Sequence, residues 1–545
     1  MRRTLNNWSI RMDAERAAQM RTEGWWIDET VAEVARRRAR ENPQALMLVD
    51  GQRRLDAATL CTEAHALAQS FVARGVKPGD VISIMLPNWH EAAVIYLGAT
   101  LAGVVVNLIL PALRDNEIAF MLEDIDSKII FIPSVFRAFD YVAMMRRVND
   151  ALPKPAEVVV VRGDGGNCTR YQTLLDQKAR PAPLPPVDAD SVKLVLYTSG
   201  TTARPKAVLH SHNSIYALIR QLDRYWVPDD GEGRFFVPSP IGHIGGSIYA
   251  FEFPFLVGTA AVLQDIWNPQ DAVAIMLRER CTHMAGATPF LQQLLAAARA
   301  LGTRLPDLRV FICGGASVPP ALIREASAYF EACIVTRVYG STEVPVITVG
   351  SLAPGDLLHA AESDGEIGIA EVKLVDPEGH IVEEGEVLAR GPQMLVGYLW
   401  AEHDLEAFDD EGFIRTGDIA KRIDGDYLAI TGRVKDTIIR NGESISAKEI
   451  EDLLIQHPDI AEVAIVGVPD ARTGERACAV IATPRSFALD VAALREFLEE
   501  QHVARFKMPE QVEIWGALPR NSLGKILKHE IRAKLLAVAQ PLGTA

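Results

Sequence analysis

The chain is poor in the features that define several whole classes of protein. Its six cysteines, Cys61, Cys168, Cys281, Cys313, Cys333 and Cys478, are scattered, with no C-x-x-C pair and no companion histidine at zinc spacing. That argues against a disulfide framework or a structural metal, and for a reducing compartment. Basic residues are in deficit, 56 Lys and Arg against 71 Asp and Glu, and the net charge of −15 leaves no large basic face to displace the counterions of a nucleic acid. The opening stretch M-R-R-T-L-N-N-W-S-I-R-M is basic but lacks the apolar centre of a signal peptide, so a cytoplasmic location is expected. One uncharged run, residues 92–113, is long enough to span a bilayer. Gly103 divides it into an Ala/Leu-rich helix and a Val/Ile-rich strand, and Asn107 and Pro111 interrupt its second half. A helix followed by a buried parallel strand is therefore expected, not a membrane segment.

What is present is a globular composition, 48% hydrophobic and 23% charged, over 545 residues, enough for roughly two to four cores. Between Asp80 and about Val349, short β-branched runs such as V-I-S-I-M-L, K-I-I-F-I-P and V-F-I-C-G-G alternate with longer helical patterns, as in parallel α/β sheets. After Ser363 the strands crowd together with Gly and Pro turns, which predicts an antiparallel or barrel-like subdomain. From about Gly432 an α+β unit of roughly a hundred residues follows. The expected fold class is α/β, with an N-terminal domain over 1–432 and a small mobile C-terminal domain over 433–545.

Residues 197–207, Y-T-S-G-T-T-A-R-P-K-A, follow directly on the apolar run 191–196. Thr198, Ser199, Thr201 and Thr202 offer hydroxyl donors, Gly200 lets the backbone approach a ligand, and Lys206 brings a point charge, so the loop reads as a phosphate cradle. It is not a Walker A loop, since Ala207 stands where that pattern needs Ser or Thr after the lysine. Four weaker motifs follow in order: Tyr339-Gly340-Ser341-Thr342-Glu343, Thr416-Gly417-Asp418, Gly432-Arg433-Val434-Lys435-Asp436 with Asn441-Gly442-Glu443 behind it, and Pro519-Arg520-Asn521-Ser522-Leu523-Gly524-Lys525.

With all five in one order across residues 197–525, the sequence resembles the adenylate-forming superfamily of acyl-CoA synthetases, aryl-acid AMP ligases, firefly luciferases and nonribosomal-peptide adenylation domains. Its N-terminal stretch 16–26 looks like that of cyclohexanecarboxylate-type CoA ligases and dihydroxybenzoate AMP ligases. The resemblance implies ATP, Mg²⁺ and coenzyme A as cofactors, a small carboxylic acid as substrate, and a homodimer as a further expectation. It places Lys206 and the hydroxyl loop on the β- and γ-phosphates, Thr342 and Glu343 on the metal, and Tyr339, Gly340, Ser341, Gly314, Gly315 and Ala316 around adenine. It gives Asp418 and Arg433 the ribose and phosphate, and Lys525, Glu343 and Thr198 the catalytic work. Lys435 is the implied hinge, about which the Gly442 loop would replace Lys525 and line the pantetheine tunnel. His243, Ile244, Gly245, Gly286, Val344 and Pro345 fall where the family lines its acyl pocket.

Three departures stand out. Ala203 and Ala207 occupy positions where the family usually carries glycine, and a methyl at either could push the loop from the triphosphate. Phe413 stands where Trp is common. Ile244 replaces the asparagine that dihydroxybenzoate ligases place after the histidine. The expected activity is acid–CoA ligation by way of acyl-AMP on an apolar medium-chain or alicyclic acid. An aryl-acid AMP ligase loading a carrier protein and a degenerate nucleotide-binding protein are the alternatives. His210 and His212 read as structural.

Overall fold

The computed structural model describes residues 2–176, 183–198, 205–227, 233–315, 318–440, 443–470, 472–483, 489–521 and 524–539. Two seven-stranded sheets form the larger part. The first runs, edge to edge, Thr169–Arg170, Glu157–Val161, Ile129–Pro133, Val81–Ile84, Val105–Leu108, Val192–Thr198 and Lys206–Ser211. The second runs Ile334–Val338, Val310–Gly314, His283–Gly286, Arg234–Val237, Ala260–Leu263, Leu46–Asp50 and Arg53–Asp56. Each is parallel except for one antiparallel edge pair, Val192–Thr198 with Lys206–Ser211 and Leu46–Asp50 with Arg53–Asp56. Strands covered on both faces read as unbroken apolar runs, which is why they stood out in the sequence. The suspected membrane run resolves into helix His90–Leu101 and strand Val105–Leu108, joined through Gly103 at φ +69°, a backbone state L side chains rarely adopt. No helix among the described residues is long and apolar enough to cross a membrane.

A charged clamp ties the two sheets together. Asp50 ends a strand of the second sheet, Arg162 follows Glu157–Val161 of the first, and His90 and Glu91 open the helix between them. His90 Nδ1 lies 2.8 Å from Asp50 Oδ2, and Arg162 donates to both Glu91 oxygens at 2.7 Å and also to Asp50. Burial opposes ionisation of Asp50, but hydrogen bonds from His90 and Arg162 and the Arg162 charge hold its carboxyl down at about 2. Three potential metal ligands meet here, yet the guanidinium already occupies both carboxylates.

The third sheet is antiparallel, Glu371–Val375, Glu384–Arg390, Ile414–Ile423 and Tyr427–Arg433, as the crowded strands predicted. The chain then enters a five-stranded sheet containing Ile438–Arg440, Glu443–Ile445, Glu462–Asp470, Gly474–Ala482 and Gln511–Trp515, packed with helices Ala447–Leu454, Val491–Glu500 and Lys528–Ala539. Its cores, around Ile450, Ile465 and Leu494 and around Val480 and Ile531, are separate from those of the large sheets. At the other end of the chain, strands Arg2–Leu5 and Trp8–Arg11 form a hairpin. Asn6 and Asn7, both at positive φ, supply the tight turn that asparagine tolerates.

Candidate functional site

The parallel strands of the second sheet deliver most of the candidate residues to one edge. Gly286 closes His283–Gly286, Gly314 and Gly315 close Val310–Gly314, and Tyr339 follows Ile334–Val338, all at carboxyl ends, where open α/β sheets bind ligands. The His243 loop follows Arg234–Val237, the neighbour of His283–Gly286. Ser239 Oγ donates to the Ala285 carbonyl at 3.4 Å and holds the two loops together.

The segment 339–346 is tightly folded. Ser341 N–H donates to the Val344 carbonyl and Val344 N–H to Ser341 Oγ, each at 3.1 Å. Gly340 admits no larger residue, because a Cβ there would lie 2.4 Å from the Val346 nitrogen. Val346 itself sits at φ +50°, costly for a β-branched residue. The fully buried Gln221 holds it there, donating to the Val346 carbonyl at 2.9 Å and accepting from Ile369 N–H at 2.7 Å.

This fold aims Glu343 at the first sheet. Its Oε1 accepts from Tyr398 OH at 3.1 Å and lies 3.5 Å from Thr198 Oγ1. The Thr342 carbonyl is 2.8 Å from His210 Nε2; burial lowers the His210 pKa to about 4, and burial and then the Lys193 charge hold that of His212 well below the ordinary histidine value, so both imidazoles are neutral. A carboxylate with the Thr198 and Tyr398 hydroxyls near it is an all-oxygen donor set, the kind that suits Mg²⁺. Lys206 begins the strand opposite Thr198, and its Nζ lies 3.3 Å from Glu406 and 5.6 Å from the Tyr398 ring centre.

The third sheet supplies the other wall. Asp418 and Arg433 are cross-strand partners. Asp418 accepts from Tyr339 OH at 2.9 Å and from Arg433 Nε at 2.5 Å. Burial lowers and Asp418 raises the Arg433 pKa, with a net rise, while burial and Asp418 push the Tyr339 phenol up. Lys525 approaches from the small α+β unit. Its backbone N–H is fixed by Asn521 Oδ1 at 2.9 Å, and Gly524 stands where a Cβ would be 3.5 Å from Pro289 at the head of helix Thr288–Ala300. Desolvation and then the Arg433 charge depress the Lys525 pKa, with Asp418 and Asp436 opposing them. Lys435 lies exposed in the 3-10 turn Val434–Asp436, whose Asp436 faces Arg532 at 3.3 Å and Lys528 at 4.0 Å on the last helix.

In the expected acid pocket, Val344 and Pro345 are buried, Ile244 and Gly286 half-buried, and Gly245 opens onto free space. His243 Nε2 is buried without a partner among the described residues, and burial drops its pKa to about 4. Ser199, Gly200, Thr201, Thr202, Ala203, Ala316 and Gly442 lie outside the described residues. Ala207 corrects an expectation. It is an extended strand residue whose methyl packs with Val195, Leu209 and Val396, so at this position the side chain belongs to the core and exerts no push on the loop. Phe413 is buried between Lys373 and Arg390, 4.3 and 4.2 Å from its ring centre.

Sequence reasoning missed the support of this site. Arg2 donates to Asp404 and to the Tyr398 carbonyl, each at 2.7 Å, and Asp404 accepts from Tyr398 N–H at 2.9 Å, so the N-terminal hairpin braces the tyrosine that touches Glu343. Nothing local in the sequence announces a contact across 402 positions.

Two α/β sheets that bring Thr198, Lys206 and Glu343 together, with Tyr339, Asp418 and Arg433 bonded to one another, have the make-up of an enzyme that handles a nucleotide. The chain belongs to the AMP-binding enzyme family, whose pattern matches residues 35–399, with the AMP-binding enzyme C-terminal domain over 449–525. Adenylate formation from ATP and an acid is thus its chemistry. It is 32% identical to the medium-chain fatty-acid–CoA ligase of Escherichia coli over 97% of this chain and 94% of that protein. To the 2,3-dihydroxybenzoate-AMP ligase of Bacillus subtilis it is 30% identical, over 96% and 97%. Among solved structures, ATP-bound MatB from Rhodopseudomonas palustris superimposes with a TM-score of 0.81 at 26% identity, covering 94% of this chain and 100% of that one.

Proposed function

We propose that the protein activates an apolar medium-chain or alicyclic carboxylic acid to its acyl-AMP and transfers the acyl group to coenzyme A. The observation that carries this reading is the segment His243-Ile244-Gly245, with an apolar side chain at Ile244 and open space beside Gly245. An isoleucine side chain offers no hydrogen bond to a ring hydroxyl, and burying one unpaired costs about 1–3 kcal/mol. Each methylene of a saturated acid gains about 0.8 kcal/mol on burial.

In the first half-reaction a carboxylate oxygen attacks the α-phosphorus of ATP, and the bond to pyrophosphate breaks. Two anions meet, so positive charge must be in place beforehand. Lys525 supplies it at the carboxylate and bridging oxygen; Lys206 supplies it at the outer phosphates, exchanging Glu406 for them. Glu343 and Thr342 would hold Mg²⁺, which would neutralise phosphate oxygens. Asp418 accepts from the ribose hydroxyls, Arg433 adds donors, and Tyr339 lies along the adenine. In the second half-reaction the thiol sulfur attacks the acyl carbon, the thiol loses its proton, and AMP leaves with the bonding electrons. Residues 433–545 form the mobile domain in this reading, turning about Lys435 so that Lys525 withdraws before the thiol enters.

Pyrophosphate exchange across a panel of acids, followed by AMP release with and without coenzyme A, tests the proposal. Exchange with octanoate or cyclohexanecarboxylate and release stimulated by coenzyme A are expected. Exchange only with hydroxylated aryl acids, and release only with a carrier protein, would instead place the chain with its dihydroxybenzoate relative.

A further inference from the structure

Among the described residues, the most deeply buried lysine and glutamate lie on and beside the helical run that follows His243. Lys193 is 1% exposed, and Glu252 and Tyr96 are fully buried. Tyr96 OH donates to Glu252 Oε1. Lys193 Nζ donates to the same oxygen at 3.1 Å and to Tyr96 OH at 2.5 Å, and stands 4.2 Å from the tyrosine ring centre. Glu252 Oε2 meets no partner among the described residues. An apolar pair of similar volume is often as stable as a buried ion pair or more so, so stability alone does not account for this arrangement.

Its position does. Glu252 closes the π turn Ile248–Glu252, in which Phe253 N–H bonds back to the Ile248 carbonyl. That turn lies in a continuous helical run, Ile244–Ser247, Ile248–Glu252 and Phe253–Leu256, which begins immediately after His243. A π turn inserts one residue and so rotates one end of a helix against the other by roughly 100°. The run is enclosed from Ile248 onward, and its side-chain fixation is lightest at the N-terminal end, where Ile244 is half-buried and Gly245 exposed. Its N-terminus has no side-chain cap, Gly245 and Gly246 fall in its first turn, and Tyr249 lies against Phe235 through stacked rings 5.3 Å apart, a contact that tolerates sliding. Tyr96 and Lys193 come from helix His90–Leu101 and strand Val192–Thr198, so Glu252 bonds the run to both, and Phe251 adds a stacked contact with Tyr96 at 4.6 Å.

We propose that Lys193, Glu252 and Tyr96 are positioning residues that lock the π turn and thereby fix the direction in which His243, Ile244 and Gly245 are presented, making a buried ion pair a determinant of acid selectivity. This rests on the reading of that segment as the acid pocket. Three variants of the full chain test it: Lys193→Met/Glu252→Leu, which removes both charges at similar volume; Tyr96→Phe, which removes one donor; and Glu252→Gln, which keeps an acceptor oxygen. Backbone hydrogen exchange is read without substrate. The double variant should keep its melting temperature while peptides from 244–256 exchange about tenfold faster, with Tyr96→Phe smaller in the same sense and Glu252→Gln close to wild type. In pyrophosphate exchange the kcat/KM ratio of decanoate to cyclohexanecarboxylate should shift about tenfold through KM for the acid, at constant KM for ATP. Unchanged protection of 244–256 in both the double variant and Tyr96→Phe would overturn the lock. An equal loss for every acid, or a parallel rise in KM for ATP, would overturn the selectivity role. If wild type activates no acid, the pocket reading fails and takes the selectivity role with it, while the exchange data still judge the lock.

Discussion

Lys193 and Lys525 both have pKa values below that of an ordinary lysine, and the two surroundings could hardly differ more. Lys193 sits in a strand of the first sheet, closed off from water, bonded to Glu252 and Tyr96, with desolvation as the dominant cause. Lys525 sits on a loop of the small unit, its backbone held by Asn521 and its charge beside Arg433. The first charge is spent on its neighbours and can only hold them in place. The second is held through its backbone, with no side-chain hydrogen bond to its ammonium among the described residues, and Asp418 and Asp436 act on it only through their charge. Lys525 is thus expected to act on a ligand and Lys193 to act by holding its neighbours in place.

The largest effect should come from the joint. Lys525→Ala should lower acyl-AMP formation, measured by pyrophosphate exchange, on the order of a hundredfold or more, because a contact needed when two anions meet is lost. Thioester formation from supplied acyl-AMP should be nearly intact. Equal loss in both steps would make Lys525 another positioning lysine and erase the contrast.

Lys435→Pro should reverse that pattern. Proline fixes φ in the range of the 3-10 turn that Lys435 occupies, so rotation about that residue is restricted. Pyrophosphate exchange should persist and transfer to coenzyme A should fall, up to roughly a hundredfold if the thiol path stays blocked. Wild-type rates in both steps would move the hinge elsewhere.

The same division explains what could be read from the sequence. The strands of the parallel sheets were legible because each is buried on both faces and spells an apolar run, and the small unit because its helices carry regular spacing. The motifs that hold Glu343, Asp418 and Lys525 stand out in the sequence because loop chemistry is local. The Lys193–Glu252 pair, the Arg2–Asp404 brace and the Gln221 hold on Val346 were not, since each joins residues far apart in the chain and its reason exists only after the sheets form. The π turn was hidden too, because an inserted residue in an aromatic run leaves no periodic trace over so short a length.

The clamp between the sheets gives a smaller effect that belongs wholly to the static side. Asp50 has a folded pKa of about 2 against an ordinary 3.8. A depressed carboxylate stabilises the fold above the unfolded value and loses that contribution as pH falls through the folded one. Asp50→Asn should therefore cost about 2 kcal/mol at pH 7, a difference that shrinks from about pH 4 and is gone near pH 2. Thermal melting of both proteins across that range checks it. A gap independent of pH would show that the loss is one of packing and not of charge.

The smallest effect is expected at the pocket, where the static wall meets the acid. Ile244 is half-buried at the start of the helical run, with Gly245 beside it opening onto free space, and it packs partly against the main core. Replacing it by asparagine removes apolar contact with a saturated ring or chain and introduces a donor and an acceptor that a ring hydroxyl could meet. Wild type should prefer cyclohexanecarboxylate or octanoate over 2,3-dihydroxybenzoate by about tenfold or more in kcat/KM. Ile244→Asn should narrow that gap from both sides, because about 0.8 kcal/mol per methylene no longer buried is lost for the apolar acid, and the 1–3 kcal/mol penalty on a hydroxyl is relieved for the aryl acid. Competition between the two acids in pyrophosphate exchange reads the ratio directly. A wild-type preference for the dihydroxylated acid would overturn the apolar assignment. An unchanged ratio in Ile244→Asn would mean that the side chain turns away from the acid, and would shift the burden of selectivity to Val344 and Pro345.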